Sequence, residues 1–205
     1  PRSTMPPMPR LLWLFCLVNL IIGSGAFVVG GILAPIAQDL RVGIPAAGQA
    51  MTAYALSTAL LAPIALLVTG GWSRKHALIA ALVAFTLGNV VCALATSLPM
   101  LLAGRVLMGL GAVFTPVAAG IAVAIVAPPQ RGRALALVFL GMSLSYAIGV
   151  PLGAWLGLAF GWHTPIWAVV AACAVALAAL ARWVPADIRA PGASFDGVVA
   201  LLARR

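Results

Sequence analysis

One arginine, Arg105, lies in the run Leu-Leu-Ala-Gly-Arg-Val-Leu-Met-Gly-Leu-Gly, where every neighbour is apolar or glycine. If that run crosses a membrane, the guanidinium must snorkel to an interface or face a cavity or a partner. Leaving it in hydrocarbon costs from about 3 to over 10 kcal/mol. No interfacial aromatic accompanies it, which favours the cavity. Asn19, Gln49, Tyr54, Thr115 and Tyr146 are further polar groups set among apolar residues. A serine or threonine in such a place often bonds its own i−4 carbonyl. Asn19 and Tyr146 are larger and harder to satisfy locally.

The residues for catalysis do not assemble. Gly23-Ser24-Gly25 resembles a nucleophile turn, but His76 and His163 fall in loops at opposite ends of the apolar segments. Cys16, Cys92 and Cys173 each sit inside an apolar run without metal-ligand spacing, and read as small packed residues. No Asp or Glu occurs between Asp39 and Asp187 or before Asp39, so the usual carboxylate proton carrier is missing from the apolar stretches. The chain reads as a non-enzyme, without metal or organic cofactor.

A second pattern is steric. Gly141, Ser145, Gly149, Gly153, Gly157 and Gly161 recur every fourth residue, with Pro151 among them. Small residues at this spacing form one stripe along a helix, where another backbone can approach closely. Its simplest use is packing. A functional use would be a bent surface at which two halves of a moving bundle slide.

The elements that must position these residues follow from composition. Of 205 residues 64% are hydrophobic and 7% charged, against about 25% charged in soluble domains. That excludes a water-soluble globule and leaves an integral membrane protein. The net charge of +9 does not form a basic face of the kind that binds nucleic acid, because the cations cluster between apolar runs. Six runs reach the roughly 20 residues that a 30 Å hydrocarbon core requires: 11–33, 47–69, 77–95, 100–126, 134–160 and 166–184. Pro63, Pro116 and Pro151 lie inside them and call for neighbours to satisfy the freed carbonyls. Short loops point to antiparallel packing of successive helices.

Ten of the twelve Lys and Arg residues precede span 1, join spans 2 and 3 or 4 and 5, or end or follow span 6. Arg41 stands alone on the other side. The bias puts both termini in the cytoplasm. Residues 1–10 then form a cytoplasmic segment, and 185–205 a polar tail with a short amphipathic helix expected over 195–202. The chain opens without Met and stops in a basic segment, so it reads as a piece of a longer protein.

Taken in order, these segments resemble the amino-terminal half of a major facilitator superfamily transporter, in the twelve-helix drug:proton antiporter branch. "GGILAPIAQDLRVGIPAAGQAMTAYALSTALLAP" is similar to the end of the first helix, its outer loop and the second helix. "SRKHAL" occupies the loop that holds the family's gating motif, and "PPQRGRALALVFLG" resembles the loop between helices 4 and 5. Arg105 with Gly109 and Gly111 matches the helix-4 motif, whose arginine is implicated in proton coupling. "IGVPLGAWLG" is similar to the helix-5 antiporter motif, through Gly149, Pro151 and Gly153. Two departures stand out. Gly70 and Gly71 replace the aspartate and first arginine of the gating motif, leaving Arg74 and Lys75. Ala26 stands before Phe27 where related efflux members often carry glutamate.

The resemblance implies an all-α membrane protein of six transmembrane helices, one half of the fold, made of two inverted three-helix repeats, although no repeat shows in the sequence. It implies proton-driven efflux of small amphiphilic, drug- or sugar-like molecules by alternating access in a bacterial inner membrane. Helices 1, 2, 4 and 5 would line the cavity and helices 3 and 6 would face lipid. Arg105 would sense or relay protonation, and Asn19, Gln49, Tyr54, Thr115 and Tyr146 would meet substrate. Arg74 and Lys75 would hold the cytoplasmic gate, and the glycine stripe with Pro151 the surface on which the halves rock. The expected partners are the bilayer, the substrate, and a second half or a second copy. A uniporter or importer with the same fold, and a non-transporting bundle that only packs or binds, are the alternatives.

Overall fold

The computed structural model describes residues 9–185. The expected helix over 195–202, and most of the two terminal segments, lie outside them. Among the described residues there is no β-strand, and six helices are long and apolar enough to cross a membrane. Span 1 is α1 (Arg10–Gly31), followed by the short α2 (Leu33–Asp39). Span 2 is α3 (Ile44–Val68) and span 3 is α4 (Arg74–Ala93). Span 4 joins α5 (Leu98–Leu110) to α6 (Phe114–Ala124), span 5 joins α7 (Arg131–Leu144) to α8 (Val150–Phe160), and span 6 is α9 (His163–Trp183).

Local chemistry sets the helix ends. Pro45 and Pro99 lie in the first turns of α3 and α5, where their missing N–H leaves no bond unmade. Ser73 caps α4 by accepting the backbone N–H of His76. Arg41, at φ 54°, turns the chain between α2 and α3.

The internal prolines act differently. Pro63 leaves α3 unbroken. Ahead of Pro116 the helix tightens into a 3₁₀ turn at Gly111–Val113, and ahead of Pro151 it widens into a π turn at Ser145–Gly149. Each adjustment lies one turn before a residue that cannot donate to the carbonyl four positions back.

Packing departs from the order of the chain. Span 1 lies against spans 5 and 6, span 4 against spans 2 and 3, and span 3 also against span 6. Of the sequence neighbours only spans 3 and 4 share a broad seam. Exchanging spans 1, 2 and 3 with 4, 5 and 6 reproduces this pattern, which is the inverted repeat that the sequence hides. Small residues select the partners. A Cβ on Gly88 would stand 2.6 Å from the backbone nitrogen of Met108, and one on Gly104 would stand 2.8 Å from the carbonyl oxygen of Gly88. Only paired glycines let spans 3 and 4 approach so closely.

Two polar ties fix the ends of the bundle. Trp162 Nε1, just before α9, donates to Asp39 Oδ2 at 2.9 Å. At the opposite end Lys75 Nζ donates to the carbonyl of Ala181 at 2.6 Å, placing a cation on the last turn of α9. Span 1 is the most enclosed of the six, and span 2 the least.

Candidate functional site

Arg105 projects from α5 toward the backbone of α1 and is 1% exposed. Its Nη1 donates to the carbonyls of Ala26 at 2.9 Å and Gly25 at 3.2 Å. Both are helix carbonyls with a second lone pair to offer, and Gly25 and Ala26 carry too little side chain to shield them. Nε has no partner. Asp39 is the only acidic residue among the described ones, and it lies at the end of α2. Arg105 is thus enclosed between helices and does not open to a cavity here. In this conformation its charge is met by peptide dipoles between spans 1 and 4, because a desolvated guanidinium gains more from two carbonyls than from an apolar wall.

Asn19 is enclosed in the same way. It is 0% exposed, its Nδ2 donates to Val138 O at 3.0 Å, and its Oδ1 accepts from Thr115 Oγ1 at 2.7 Å. Asn19 and Thr115 thus form a clasp joining spans 1, 4 and 5, with Thr115 half-buried. A polar tie of this kind in a membrane measures about 0.6 kcal/mol, and at most about 1.7. In a double-mutant cycle, Asn19→Ala and Thr115→Val are expected to couple by about 0.6 kcal/mol in detergent unfolding, and strict additivity would contradict the clasp.

The glycine stripe faces span 1. Cβ atoms built on Gly149, Gly153 and Gly157 run into Ser24, Val28 and Ile32, and one on Gly141 runs into the backbone oxygen of Cys16. Ser145, in the same register, fills the space beside Gly23. Four-residue steps on span 5 meet matching steps on span 1, so the stripe is a seam inside the bundle and not a surface between halves. Pro151 is exposed, off that seam.

Arg74 and Lys75 are engaged within the bundle. Arg74 is buried and its Nη2 donates to Gly70 O at 3.1 Å, while Lys75 holds the end of α9.

What the structure does gather on an open face is aromatic. Phe27 of α1 stacks on Tyr146 with ring centroids 4.7 Å apart, and meets Tyr54 of α3 edge-on at 6.4 Å. Tyr146 is 55% exposed, and Gln49 is exposed at the start of α3. Spans 1, 2 and 5 thus share one aromatic wall, one residue beyond the carbonyl of Ala26 that Arg105 holds. Phe27 escaped the sequence reading because an isolated phenylalanine in an apolar helix announces no direction. Ser57 is a visible polar group in the sequence, but its contact is not. Its hydroxyl donates to Val106 O at 2.9 Å, across the space left by Gly109, and only pairing it with that glycine would have exposed the contact.

Comparison with known proteins places this geometry. The chain is 34% identical over 191 residues to the "Chloramphenicol resistance protein" of Streptomyces lividans, covering 93% of this chain and 48% of that protein. It is 36% identical over 183 residues to a "Chloramphenicol efflux pump" of Mycobacterium tuberculosis, covering 86% of this chain and 44% of the pump. The chain spans less than half the length of these relatives. The crystal structure of the peptide transporter POT superposes on 99% of this chain and 46% of its own, with a TM-score of 0.75 at 15% identity, and so shares the fold. The model of the Major Facilitator Superfamily matches residues 15–201. Bundle, motifs and relatives agree along nearly the whole sequence, and the chain belongs to the major facilitator superfamily.

Proposed function

We propose that the chain forms the amino-terminal half of a proton-driven exporter of small amphiphilic molecules, working by alternating access. The observation that carries this reading is the wall of Phe27, Tyr54 and Tyr146 on the open face, beside a buried cation held only by helix carbonyls. A midplane site between two halves needs such a wall, and aromatic rings suit flat amphiphiles. The names of the relatives point the same way, which makes chloramphenicol the first probe.

In this scheme Arg105 exchanges its carbonyl partners for water or substrate as protonation changes in the cavity. Gln49 and Tyr54 meet the substrate from span 2, and Arg74 and Lys75 steady the closed cytoplasmic end. The bias of Arg10, Arg74, Lys75, Arg131, Arg133 and Arg182 toward one end supports reading that end as the cytoplasmic one. A second half of the fold would close the cavity from the other side.

The test is chloramphenicol accumulation in cells that express the complete gene product. Phe27→Ala and Tyr146→Ala are each expected to raise the drug concentration for half-maximal export about two- to tenfold, since a ring–ring contact contributes about 0.5–1.5 kcal/mol beyond its buried area. Unchanged export by both variants would remove the wall from the substrate path.

One observation favours a uniporter instead. No carboxyl lies inside any described span. Proton release from vesicles on substrate addition separates the two readings, because a uniporter gives none.

A further inference from the structure

Away from the aromatic wall, two pockets lie along α1. One is apolar, about 170 Å³, between spans 1, 5 and 6, with Leu20, Ile21 and Leu156 among its lining. The other is a crevice of about 560 Å³ at the end of the bundle, between Arg10, Trp13 and Leu17 of α1 and Trp183 of α9. Trp13 and Trp183 are more than half exposed, and Arg10 is exposed.

Arg10, Trp13, Leu17 and Ile21 recur at helical spacing on one face of α1. Eleven residues of rise separate Arg10 from Ile21, about 16 Å, half of a hydrocarbon core of about 30 Å. The stripe is one leaflet deep. It starts at a cation flanked by two tryptophans, the residues that settle at headgroup level, and continues as aliphatic surface. Arg74, Lys75, Arg131, Arg133 and Arg182 lie at the same end, and no acidic residue among the described ones does.

We propose that this crevice binds one anionic phospholipid of the surrounding bilayer, its phosphate at Arg10 between Trp13 and Trp183 and one acyl chain along Leu17 and Ile21. Charge complementarity selects the headgroup, and the length of the stripe selects a lipid over a soluble anion.

The test uses the complete gene product in vesicles of phosphatidylcholine with a fixed fraction of brominated lipid. The bromine is carried either by phosphatidylglycerol or by phosphatidylcholine. Quenching of Trp13 and Trp183 is the part of the fluorescence change lost in the W13F/W183F double variant. Brominated phosphatidylglycerol is expected to occupy the site about fivefold more strongly, as one basic side chain at the surface provides. That preference should vanish in Arg10→Gln and persist in Arg10→Lys, with all variants checked for unchanged circular dichroism. Equal quenching by the two lipids would reduce the crevice to ordinary bilayer contact and overturn the proposal. Absence of quenching by either would show protein covering the groove, and would overturn it as well.

Discussion

Arg105→Ala is expected to abolish transport, by at least a hundredfold in initial rate, while the protein still inserts and purifies as a folded species. The two effects separate because of how the side chain is bonded. Its removal takes two hydrogen bonds from carbonyls of Gly25 and Ala26, groups placed in α1 to bond within their own helix. It also removes a buried cation that has no acidic partner among the described residues and whose Nε is unsatisfied. Desolvating such a charge offsets much of what its bonds contribute, so the stability change should stay within about 2 kcal/mol. Coupling has no such compensation, because every other described Lys, Arg or Asp lies in the first or last turn of a helix or between helices. Arg105→Lys keeps the charge but replaces a planar fork by a point charge on a shorter reach, and an intermediate rate, about tenfold down, is expected. Normal export by Arg105→Ala would reduce the arginine to a strut between spans 1 and 4.

The largest stability effect is expected at Gly141. A Cβ there overlaps the backbone oxygen of Cys16 and lies 2.9 Å from Asn19 Cβ. Neither can swing aside as the tip of a long side chain would. Spans 1 and 5 must separate, and the bond from Asn19 to Val138 goes with them. Overpacking costs about 1–3 kcal/mol, and Gly141→Ala should fall at the upper end, near 3 kcal/mol, with Gly141→Leu failing to fold. Gly120→Ala is the control: a Cβ there meets nothing within 4 Å, so the change should be within about 0.5 kcal/mol of neutral. Thermal unfolding in detergent measures both. Equal midpoints for Gly141→Ala and Gly120→Ala would contradict the seam.

These two residues also show what a sequence can disclose. Gly141 and its companions are visible as a stripe because a period of four needs no structure to be seen. Their partner is not visible, since the stripe looks the same whether it meets a neighbour in the bundle or a second half. Arg105 is conspicuous because charge is rare in apolar runs. Its direction depends on the rotation of α5 and on which helix lies beside it, and that neighbour is span 1, far away in the chain. The six helices themselves were legible from hydrophobic length alone, and the family from five short motifs in order. The inverted repeat was not, because it survives in packing between spans and leaves no trace in residue identity. Asn19 was singled out for its polarity, which the fold uses for a clasp.

The central claim is that this bundle is one wall of a proton-coupled exporter with Arg105 in the coupling path. The most direct measurement is the proton flux that accompanies substrate movement in inside-out vesicles carrying the complete gene product, wild type against Arg105→Ala. Substrate should drive proton release with the wild type and none with the variant. Release of equal size from both, or from neither while substrate still crosses, would contradict the account.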